Sequence, residues 1–313
     1  DVPGDRSLHR TPVPRGGGLA IVLAASLATW TAVLAAVHLQ GAVHAMSGVD
    51  VALMGLATVL AFALLGLIED LFSVSVRARL VLQLVLGAGL GLVAHSAFEV
   101  SLWWTPAICV GTAALVNATN FMDGANGLAC GHALLTSLWY VQVAAVAPVA
   151  GLGLVMVSVA GACLGFLPFN TPRAKVFLGD SGSYALGSAW AFAVTACLSR
   201  GVAVEAALAP VLVLLADTGY TLWMRLRAGQ CWYAPHRLHV YQRLVCAGWP
   251  HWASALLVTL AAAACSALAA SGLLTSNRLW MPQVAMAAVL IVYLKMPSII
   301  GAPNPFPTLR RAR

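Results

Sequence analysis

The sequence predicts an all-α fold, a polytopic bundle of transmembrane helices. Of its 313 residues, 61% are hydrophobic and only 9% are charged, whereas soluble domains carry about 25% charged residues. The hydrophobic residues form runs long enough to cross a bilayer as helices. Ten spans are predicted: 18–39, 51–68, 79–95, 100–118, 128–148, 150–168, 184–199, 201–224, 252–272 and 279–297. We therefore expect one integral-membrane domain over residues 1–313.

Two features concern the ends and boundaries of these spans. Pro148 with Gly151, and Arg200 with Gly201, mark tight reversals between neighbouring spans. The chain begins at Asp1 rather than Met. A further helix is therefore expected before it, which would bring the count to eleven.

Basic residues predict the orientation of the bundle. If the chain alternates sides from a cytosolic start, only Arg200 and Arg278 fall outside. The others fall inside: Arg6, Arg10, Arg15, Arg77, Arg79, Arg173, Lys175, Arg225, Arg227, Arg237, Arg243, Lys295, Arg310, Arg311 and Arg313. This positive-inside pattern also explains the net charge of +7 without a nucleic-acid partner. The seven scattered cysteines, with no CxxC pair, predict neither a disulfide framework nor a zinc site.

The same alternation gathers the acidic and histidine motifs on the cytosolic side. They are Glu69-Asp70, Asp123, Asp180, Asp217, His236 and His239. Asp50, Glu99 and Glu205 fall outside and resemble ordinary loop residues. The cytosolic groups are therefore the candidate site.

The stretch 117–131 carries much of the polar chemistry. Asn117, Asn120, Asp123 and Asn126 recur every three residues, interleaved with glycines that let the backbone approach a ligand closely. A plain turn between two helices is the alternative.

Glu69 and Asp70 end a predicted span. A helix C-terminus favours cations rather than carboxylates, so we expect a metal or a basic partner such as Arg77 or Arg79 nearby. Simple solvation of the helix end is the alternative.

The segment 175–183 opens another span. Asp180 could cap that helix, or it could hold the Mg²⁺ of a phosphate bound by the flanking glycines. Phe177 could stack on a base, although its spacing alone favours interfacial packing.

Asp217 lies well inside its span, where an ionisable group is costly and usually functional; an ion pair with Arg225 or Arg227 is the alternative. In the following loop His236, Arg237, His239 and Arg243 form a patch suited to phosphoryl oxygens. Contact with anionic lipid and a zinc pair, which lacks further ligands, are the alternatives.

His9 and Arg10 precede a proline-fixed, glycine-rich segment that ends at Gly18. A membrane-surface anchor would look similar.

Taken together, the acids, histidines and arginines on one membrane face suit phosphoryl transfer. Carboxylates would hold Mg²⁺ against a diphosphate, and arginines would neutralise the remaining oxygens. A lipid phosphate as acceptor would explain why the site is built in a bilayer.

In this order the motifs resemble the polyprenyl-phosphate N-acetylhexosamine-1-phosphate transferase family, or glycosyltransferase family 4, over essentially the whole chain. The motifs are Asp1-Val-Pro with Arg6 and His9, Gly66 with Glu69-Asp70, Asn117 to Asp123-Gly, Phe177 to Ser183, and His236 to His239. The run His236-Arg-Leu-His239-Val-Tyr-Gln-Arg243 is most similar to the branch that initiates O-antigen polysaccharides.

The resemblance implies that a UDP-N-acetylhexosamine gives its sugar 1-phosphate to undecaprenyl phosphate and releases UMP. The reaction would start O-antigen or other cell-envelope glycan synthesis, including lipopolysaccharide, at the cytosolic face of the bacterial inner membrane. Mg²⁺ is the implied cofactor, with Mn²⁺ as a substitute. UDP-sugar, polyprenyl phosphate and membrane lipid are the expected partners, and a homodimer is a further prediction.

Residue roles follow from the matching motifs. The catalytic set is Glu69, Asp70, Asp123 and Asp180, with Asp180 and Asn117 on the metal. Substrate contacts are assigned to His9, Arg10, Asn117, Asn120, Asn126, Phe177, Asp217, His236, Arg237, His239 and Arg243. Asn126 and Glu69 stand where the family usually has Asp, which could change sugar choice or metal affinity or mark a catalytically altered homologue.

Rival functions make different demands on the sequence. A transporter or lipid flippase needs ionisable residues and broken helices near the bilayer midplane, whereas most acids here lie at helix ends. A CDP-alcohol phosphotransferase needs a closely spaced acidic motif on one helix, which we do not find.

Overall fold

The computed structural model describes residues 12–40, 42–147, 149–231, 233–234, 236–274 and 280–303. These residues form twelve α-helices joined by short loops. The helices are α1 Gly17–Gln40, α2 Ala42–Phe72, α3 Val76–Phe98, α4 Thr105–Phe121, α5 Leu128–Val146, α6 Leu152–Asn170, α7 Gly179–Ser199, α8 Val204–Leu208, α9 Leu212–Arg227, α10 Val240–Cys246, α11 His251–Leu274 and α12 Met281–Ile299. The all-α prediction is confirmed.

Each predicted span coincides with a helix or a helical run, but not all ten are equally apolar. Within the described ranges, eight helices are long and apolar enough to cross a membrane, with α8 and α9 counted as one run from Val204 to Arg227. The other two predicted spans are α4, which has 17 residues, and α7. The protein is therefore a multi-pass membrane protein.

Helix α7 lies at the centre of the bundle, with α1 to α6 around it. Nearly all of it is buried, from Ser181 to Cys197. Small residues make this possible: a Cβ on Gly187 would lie 2.6 Å from the Cα of Val116 on α4. Because the helix is surrounded by protein, it can carry serine and glycine that a lipid-facing helix would not favour.

The span after α7 is not one continuous helix, although the sequence predicted a single span over 201–224. Pro210 has no N–H, so the carbonyl of Ala206 loses its helical donor. Trp139 on α5 replaces it, with its Nε1 2.9 Å from the Ala206 oxygen, and the Tyr140 hydroxyl donates to the Ala207 oxygen at 2.8 Å. A bend inside a bilayer needs such substitutes, because no water is present to satisfy the carbonyls.

Antiparallel packing brings the polar ends of most helices together at one end of the bundle. The start of α7 contacts the end of α2 and the last turn of α4 through hydrogen bonds. The loop after α4 is in turn bonded to α6, α10 and α11. This end of the molecule carries the candidate site.

Candidate active site

The site is built around the N-terminus of α7. The backbone N–H groups of Asp180 and Ser181 both donate to the Asp70 carboxylate, each at 3.0 Å. Asp70 therefore satisfies orphan amides at the positive end of this helix. Arg15 lies on the other side, with its Nη1 3.9 Å from Asp70 Oδ1. The positive partner expected for Asp70 is thus a helix end together with an arginine.

Glu69 points elsewhere, although it is adjacent in sequence. Its Oε1 lies 3.3 Å from Arg79 Nη1, and its Oε2 accepts a hydrogen bond from the Val74 N–H at 3.0 Å. Arg79 was one of the two predicted partners. Glu69 thus closes the turn between α2 and α3, and the two adjacent carboxylates do not face one common ligand.

The chain segment before α1 is held against the loop before α7. Gly17 and Gly18 donate backbone hydrogen bonds to the carbonyls of Phe177 and Leu178 at 3.0 and 2.7 Å. A Cβ on Gly18 would lie 2.2 Å from the backbone nitrogen of Gly182, so only glycine permits this approach. Arg15 and the half-buried Phe177 are thereby placed beside the start of α7. His9 and Arg10 lie outside the described residues.

An asparagine amide lies on the Asp180 carboxylate, but it is not the predicted one. Asn120 Nδ2 donates to Asp180 Oδ1 at 2.7 Å and to Ser183 Oγ at 3.0 Å. The Asn117 amide instead donates to the side chain of Gln83 on α3. As a companion of Asp180, the structure therefore offers Asn120 rather than Asn117.

Among the described residues, negative charge at the site exceeds the positive charge that faces it. The pKa of Asp123 is raised well above its ordinary 3.8, first by burial and then by the carboxylates of Asp180 and Asp70, and Arg15 only partly opposes this. A bound cation would relieve the repulsion.

The donor set at the site suits Mg²⁺. In the described part of the chain, no three His, Cys, Asp or Glu side chains are placed to hold a metal ion. Mg²⁺ needs no such cluster, because it commonly takes one or two carboxylates and completes its shell with water and substrate phosphate. Asp180 with Asn120 and Asp123 therefore fits that metal.

Two neighbouring helices, α6 and α10, hold the loop that carries Asp123. The Tyr241 hydroxyl on α10 donates to the Phe121 carbonyl at 2.9 Å, and a Cβ on Gly124 would lie 2.1 Å from that hydroxyl. Asn170 at the end of α6 accepts from the Gly127 N–H at 2.8 Å and donates to the Val176 carbonyl. Asn170 was not among the predicted site residues; its signal in the sequence is a polar residue that ends an apolar helix.

Asn126 lies at the edge of an open cleft of about 850 Å³. Its backbone N–H donates to His251 Nδ1, and its side-chain amide donates to the Pro172 carbonyl, both at 3.3 Å. An aspartate could not make the second bond. The cleft is lined by Asn126, Pro168, Thr171, Pro172, Arg173, Lys175, Pro250, His251 and Trp252.

Asp217 is fully buried and saturated with donors. Its carboxylate accepts from His239 Nδ1 at 3.1 Å, the Val240 N–H at 3.1 Å, Thr221 Oγ1 at 3.2 Å and the Tyr293 hydroxyl at 2.8 Å. These contacts are internal, so the carboxylate predicted to bind substrate does not reach a ligand surface.

The alternative interpretation of Asp217, an ion pair with Arg225 or Arg227, is not what the structure shows, because both arginines have other contacts. Arg225 donates to the carbonyls of Cys231 and Ala234, which ties the following loop to the end of α9. The Arg227 guanidinium lies over the Trp223 ring, 4.6 Å from its centroid.

The two histidines of the predicted phosphate patch differ in access. His239 is 3% exposed and stacks between the rings of Phe121 and Tyr241. His236, with its ring 5.0 Å from that of His239, is only half-buried. Burial, and then the nearby His239 and Arg225, lower the pKa of His236 to about 4, so its ring is neutral at pH 7 in this state.

The two arginines of the patch flank these histidines. Arg237 is half-buried next to His236. Arg243 lies three residues into α10 and donates from Nη2 to the Pro303 carbonyl at 3.2 Å. His236 and Arg237 are therefore the members of the patch best placed for a ligand.

Fold and site together define an integral-membrane protein with a cluster of carboxylates at one end of a helical bundle. The sequence profile described as glycosyl transferase family 4 matches residues 52–198. The decaprenyl-phosphate N-acetylglucosaminephosphotransferase of Mycobacterium leprae is 31% identical over 297 residues, which covers 82% of this chain and 73% of the relative. The chain belongs to glycosyl transferase family 4.

Two other relatives extend the comparison. A probable undecaprenyl-phosphate N-acetylglucosaminyl 1-phosphate transferase of Bacillus subtilis is 28% identical, over 83% of this chain and 73% of the relative. A phospho-N-acetylmuramoyl-pentapeptide-transferase of Desulforudis audaxviator is 32% identical, over 58% of this chain and 62% of the relative. The family membership predicted from the motifs is thus confirmed.

Proposed function

We propose that the protein transfers N-acetylhexosamine 1-phosphate from a UDP-sugar to a polyprenyl phosphate. An oxygen of the lipid phosphate would attack the β-phosphorus of the donor. The new P–O bond would form as the bond to the bridging oxygen breaks, and UMP would leave with that oxygen. The observation that carries the proposal is the meeting of Asp70, Asp123 and Asp180, which come from three different helix ends, at the N-terminus of α7.

Asp180 and Asn120 are proposed to hold Mg²⁺, or Mn²⁺ in its place, with Asp123 contributing charge. The bound ion would neutralise the diphosphate oxygens and stabilise the charge that develops on them during transfer. The Asn120 amide now donates to Asp180. Rotating that amide by half a turn would present its oxygen to a cation without moving the backbone.

Asp70 and Arg15 are proposed to serve the acceptor. Arg15 remains 42% exposed in its side chain beside Asp70, and its guanidinium can bind a lipid phosphate. Asp70 fixes the start of α7 and is proposed to serve the acceptor phosphate or to act as a base. Glu69 acts indirectly in this scheme, because its contacts hold the α2–α3 turn.

The donor is proposed to lie across the remaining motifs. His236 and Arg237 would face the diphosphate, and Phe177 with the Asp123 loop would face the uridine. Asp217 and His239 would support this surface from below, since neither is exposed.

Basic residues support placing this end of the bundle in the cytosol of a bacterial inner membrane. Of the described Lys and Arg residues, only Arg200 lies at the other end. The site end carries Arg15, Arg77, Arg79, Arg173, Lys175, Arg225, Arg227, Arg237, Arg243 and Lys295. This asymmetry follows the positive-inside rule. The product would enter cell-envelope glycan synthesis, with initiation of O-antigen as the specific pathway predicted from the His236–Arg243 run.

UMP release tests the proposal. Purified protein in detergent or nanodiscs is incubated with undecaprenyl phosphate, Mg²⁺ and a panel of UDP-N-acetylhexosamines that begins with UDP-GlcNAc, the sugar named for the first relatives. UMP and a lipid-linked sugar phosphate are expected, and Asp180→Asn serves as the blank. The proposal fails if no UDP-sugar yields UMP under conditions where a Bacillus subtilis relative is active.

One observation favours a second candidate function, transport of a lipid-linked or anionic substrate. The span Val204–Arg227 is broken at Ala209–Val211, and a buried ionisable residue, Asp217, follows the break. However, the freed carbonyls and the Asp217 carboxylate all have internal partners. A liposome flux assay that shows movement of lipid-linked sugar without UMP formation would favour transport.

A further inference from the structure

Tyr293 on α12 is the least expected partner in the polar network below the histidines. The rest of helix α12 has a largely apolar surface, which includes the exposed side chains of Val284, Ile291 and Val292. Its buried residues are Met286, Tyr293 and Pro297, which form a narrow stripe on one face. Tyr293 is 2% exposed and directs its hydroxyl to Asp217 Oδ2 at 2.8 Å.

The Asp217 carboxylate that receives this hydroxyl organises the start of α10. It accepts the backbone N–H of Val240 and the Nδ1 of His239. Because Nδ1 donates to the carboxylate, the tautomer and the ring orientation of His239 are both fixed. The Tyr293 hydroxyl bonds Oδ2, the oxygen opposite the one that faces His239, and together with the Val240 N–H it limits rotation of the carboxylate.

From α10 the network continues to the acidic site. The His239 ring stacks on Phe121 and Tyr241, and the Tyr241 hydroxyl bonds the Phe121 carbonyl just before Asp123. Helix α12 is therefore connected to the loop that carries Asp123 through the buried Asp217 carboxylate.

We propose that Tyr293 is a positioning residue for the transferase site, acting through Asp217 on His239 and on the His236–Arg237 segment. The inference rests on the proposed function for its kinetic consequence, but the positional consequence stands without it. Tyr293 would touch no substrate. Its hydroxyl would keep His236 and the Asp123 loop at a fixed separation across the donor.

A matched control is available in the same bundle. Tyr140 is also a fully buried tyrosine on a spanning helix, and its hydroxyl bonds the Ala207 carbonyl at the same 2.8 Å. That hydrogen bond joins α5 to α8, away from the acidic site. Tyr293→Phe and Tyr140→Phe each remove one buried tyrosine hydroxyl and a hydrogen bond of the same length, although the bond of Tyr293 is the stronger because its acceptor is a carboxylate. Comparing local effects near the site in the two variants therefore separates positioning from general loss of stability.

The first measurement is hydrogen–deuterium exchange of the segment 236–246 in the purified, full-length protein. Tyr293→Phe is expected to speed exchange in this segment at least several-fold, whereas Tyr140→Phe leaves it at the wild-type rate. Equal exchange in both variants overturns the proposal. This readout needs no activity, so it remains decisive even if the protein proves not to be a transferase.

The second measurement is steady-state UMP release per folded molecule, counted from the monodisperse chromatographic peak. Tyr293→Phe is expected to lower kcat/KM for the UDP-sugar about tenfold, with Tyr140→Phe within about twofold of wild type. If Tyr293→Phe does not fold, Thr221→Val removes another donor from the same carboxylate and should give a smaller loss in the same direction. Wild-type kinetics in Tyr293→Phe, or in Thr221→Val if Tyr293→Phe does not fold, overturn the proposal.

Discussion

Two carboxylates at the same end of this bundle, the buried Asp217 and the half-buried Asp180, have opposite environments. Asp217 accepts hydrogen bonds from His239, Val240, Thr221 and Tyr293 and is closed to solvent. Asp180 faces one amide, that of Asn120, while Asp70 and Asp123 add negative charge nearby. This contrast is the basis for our proposal that Asp217 holds the structure and that Asp180 binds a cation.

The largest expected effect is on activity at the under-compensated carboxylate. Asp180→Asn removes a proposed metal ligand and should lower kcat by roughly a hundredfold or more, because the diphosphate charge would no longer be neutralised. UMP release measures this, and the folded yield should match wild type. Retention of more than half the wild-type rate would remove Asp180 from the metal site.

The saturated carboxylate should respond first in stability. Asp217→Asn replaces an acceptor of several hydrogen bonds with a group that presents N–H to the Val240 N–H or to the Tyr293 hydroxyl. The free energy of unfolding should fall by roughly 2 kcal/mol, seen as a lower midpoint in thermal unfolding, with activity reduced as a consequence. If Asp217→Asn is as stable as wild type but inactive, Asp217 belongs to the chemistry instead.

Asp123→Asn should give the opposite sign in stability. The folded-state pKa of Asp123 is raised above the ordinary 3.8, so ionisation at neutral pH destabilises the folded protein. The substitution should raise the thermal midpoint at pH 7 by roughly 2 °C while lowering activity. Its benefit should shrink as the pH falls from the raised folded-state pKa to below 3.8, where Asp123 is protonated in the folded and unfolded states alike.

A cation provides the internal control for that prediction. Mg²⁺ together with UDP should stabilise wild type more than Asp123→Asn, because the ion relieves the same repulsion. Equal stabilisation of both proteins would mean that Asp123 lies outside the field of the ion.

The smallest effect is expected at Asn126. Asn126→Asp loses the hydrogen bond to the Pro172 carbonyl and brings a carboxylate oxygen against that carbonyl oxygen. We expect a cost in the free energy of unfolding of about 1 kcal/mol. We expect a modest rise in KM for the UDP-sugar with little change in kcat, measured by UMP release. A change in the preferred sugar would instead make position 126 a determinant of specificity.

The sequence predicted the helices well, because long apolar runs favour a membrane-spanning helix. It also predicted that the acidic motifs share one end of the bundle, because the basic residues are concentrated in the loops on one side. It could not assign partners. That Asp70 binds the amides of α7, that Asn120 rather than Asn117 lies on Asp180, and that Glu69 turns to Arg79 depend on helix rotations. Nothing in the sequence distinguished Tyr293 from an ordinary tyrosine in an apolar run. The proline at position 210 was visible in the sequence, but the hydrogen bonds from α5 that satisfy the carbonyls at the break were not.

Binding of Mn²⁺ tests the central claim most directly, because its electron paramagnetic resonance reports the bound ion without turnover. With UDP-GlcNAc present, wild-type protein should bind a single Mn²⁺ per chain, and Asp180→Asn should lose it. Glu69→Gln should keep it, since that carboxylate faces Arg79. Wild-type Mn²⁺ binding by Asp180→Asn, or loss of binding in Glu69→Gln alone, would contradict the account.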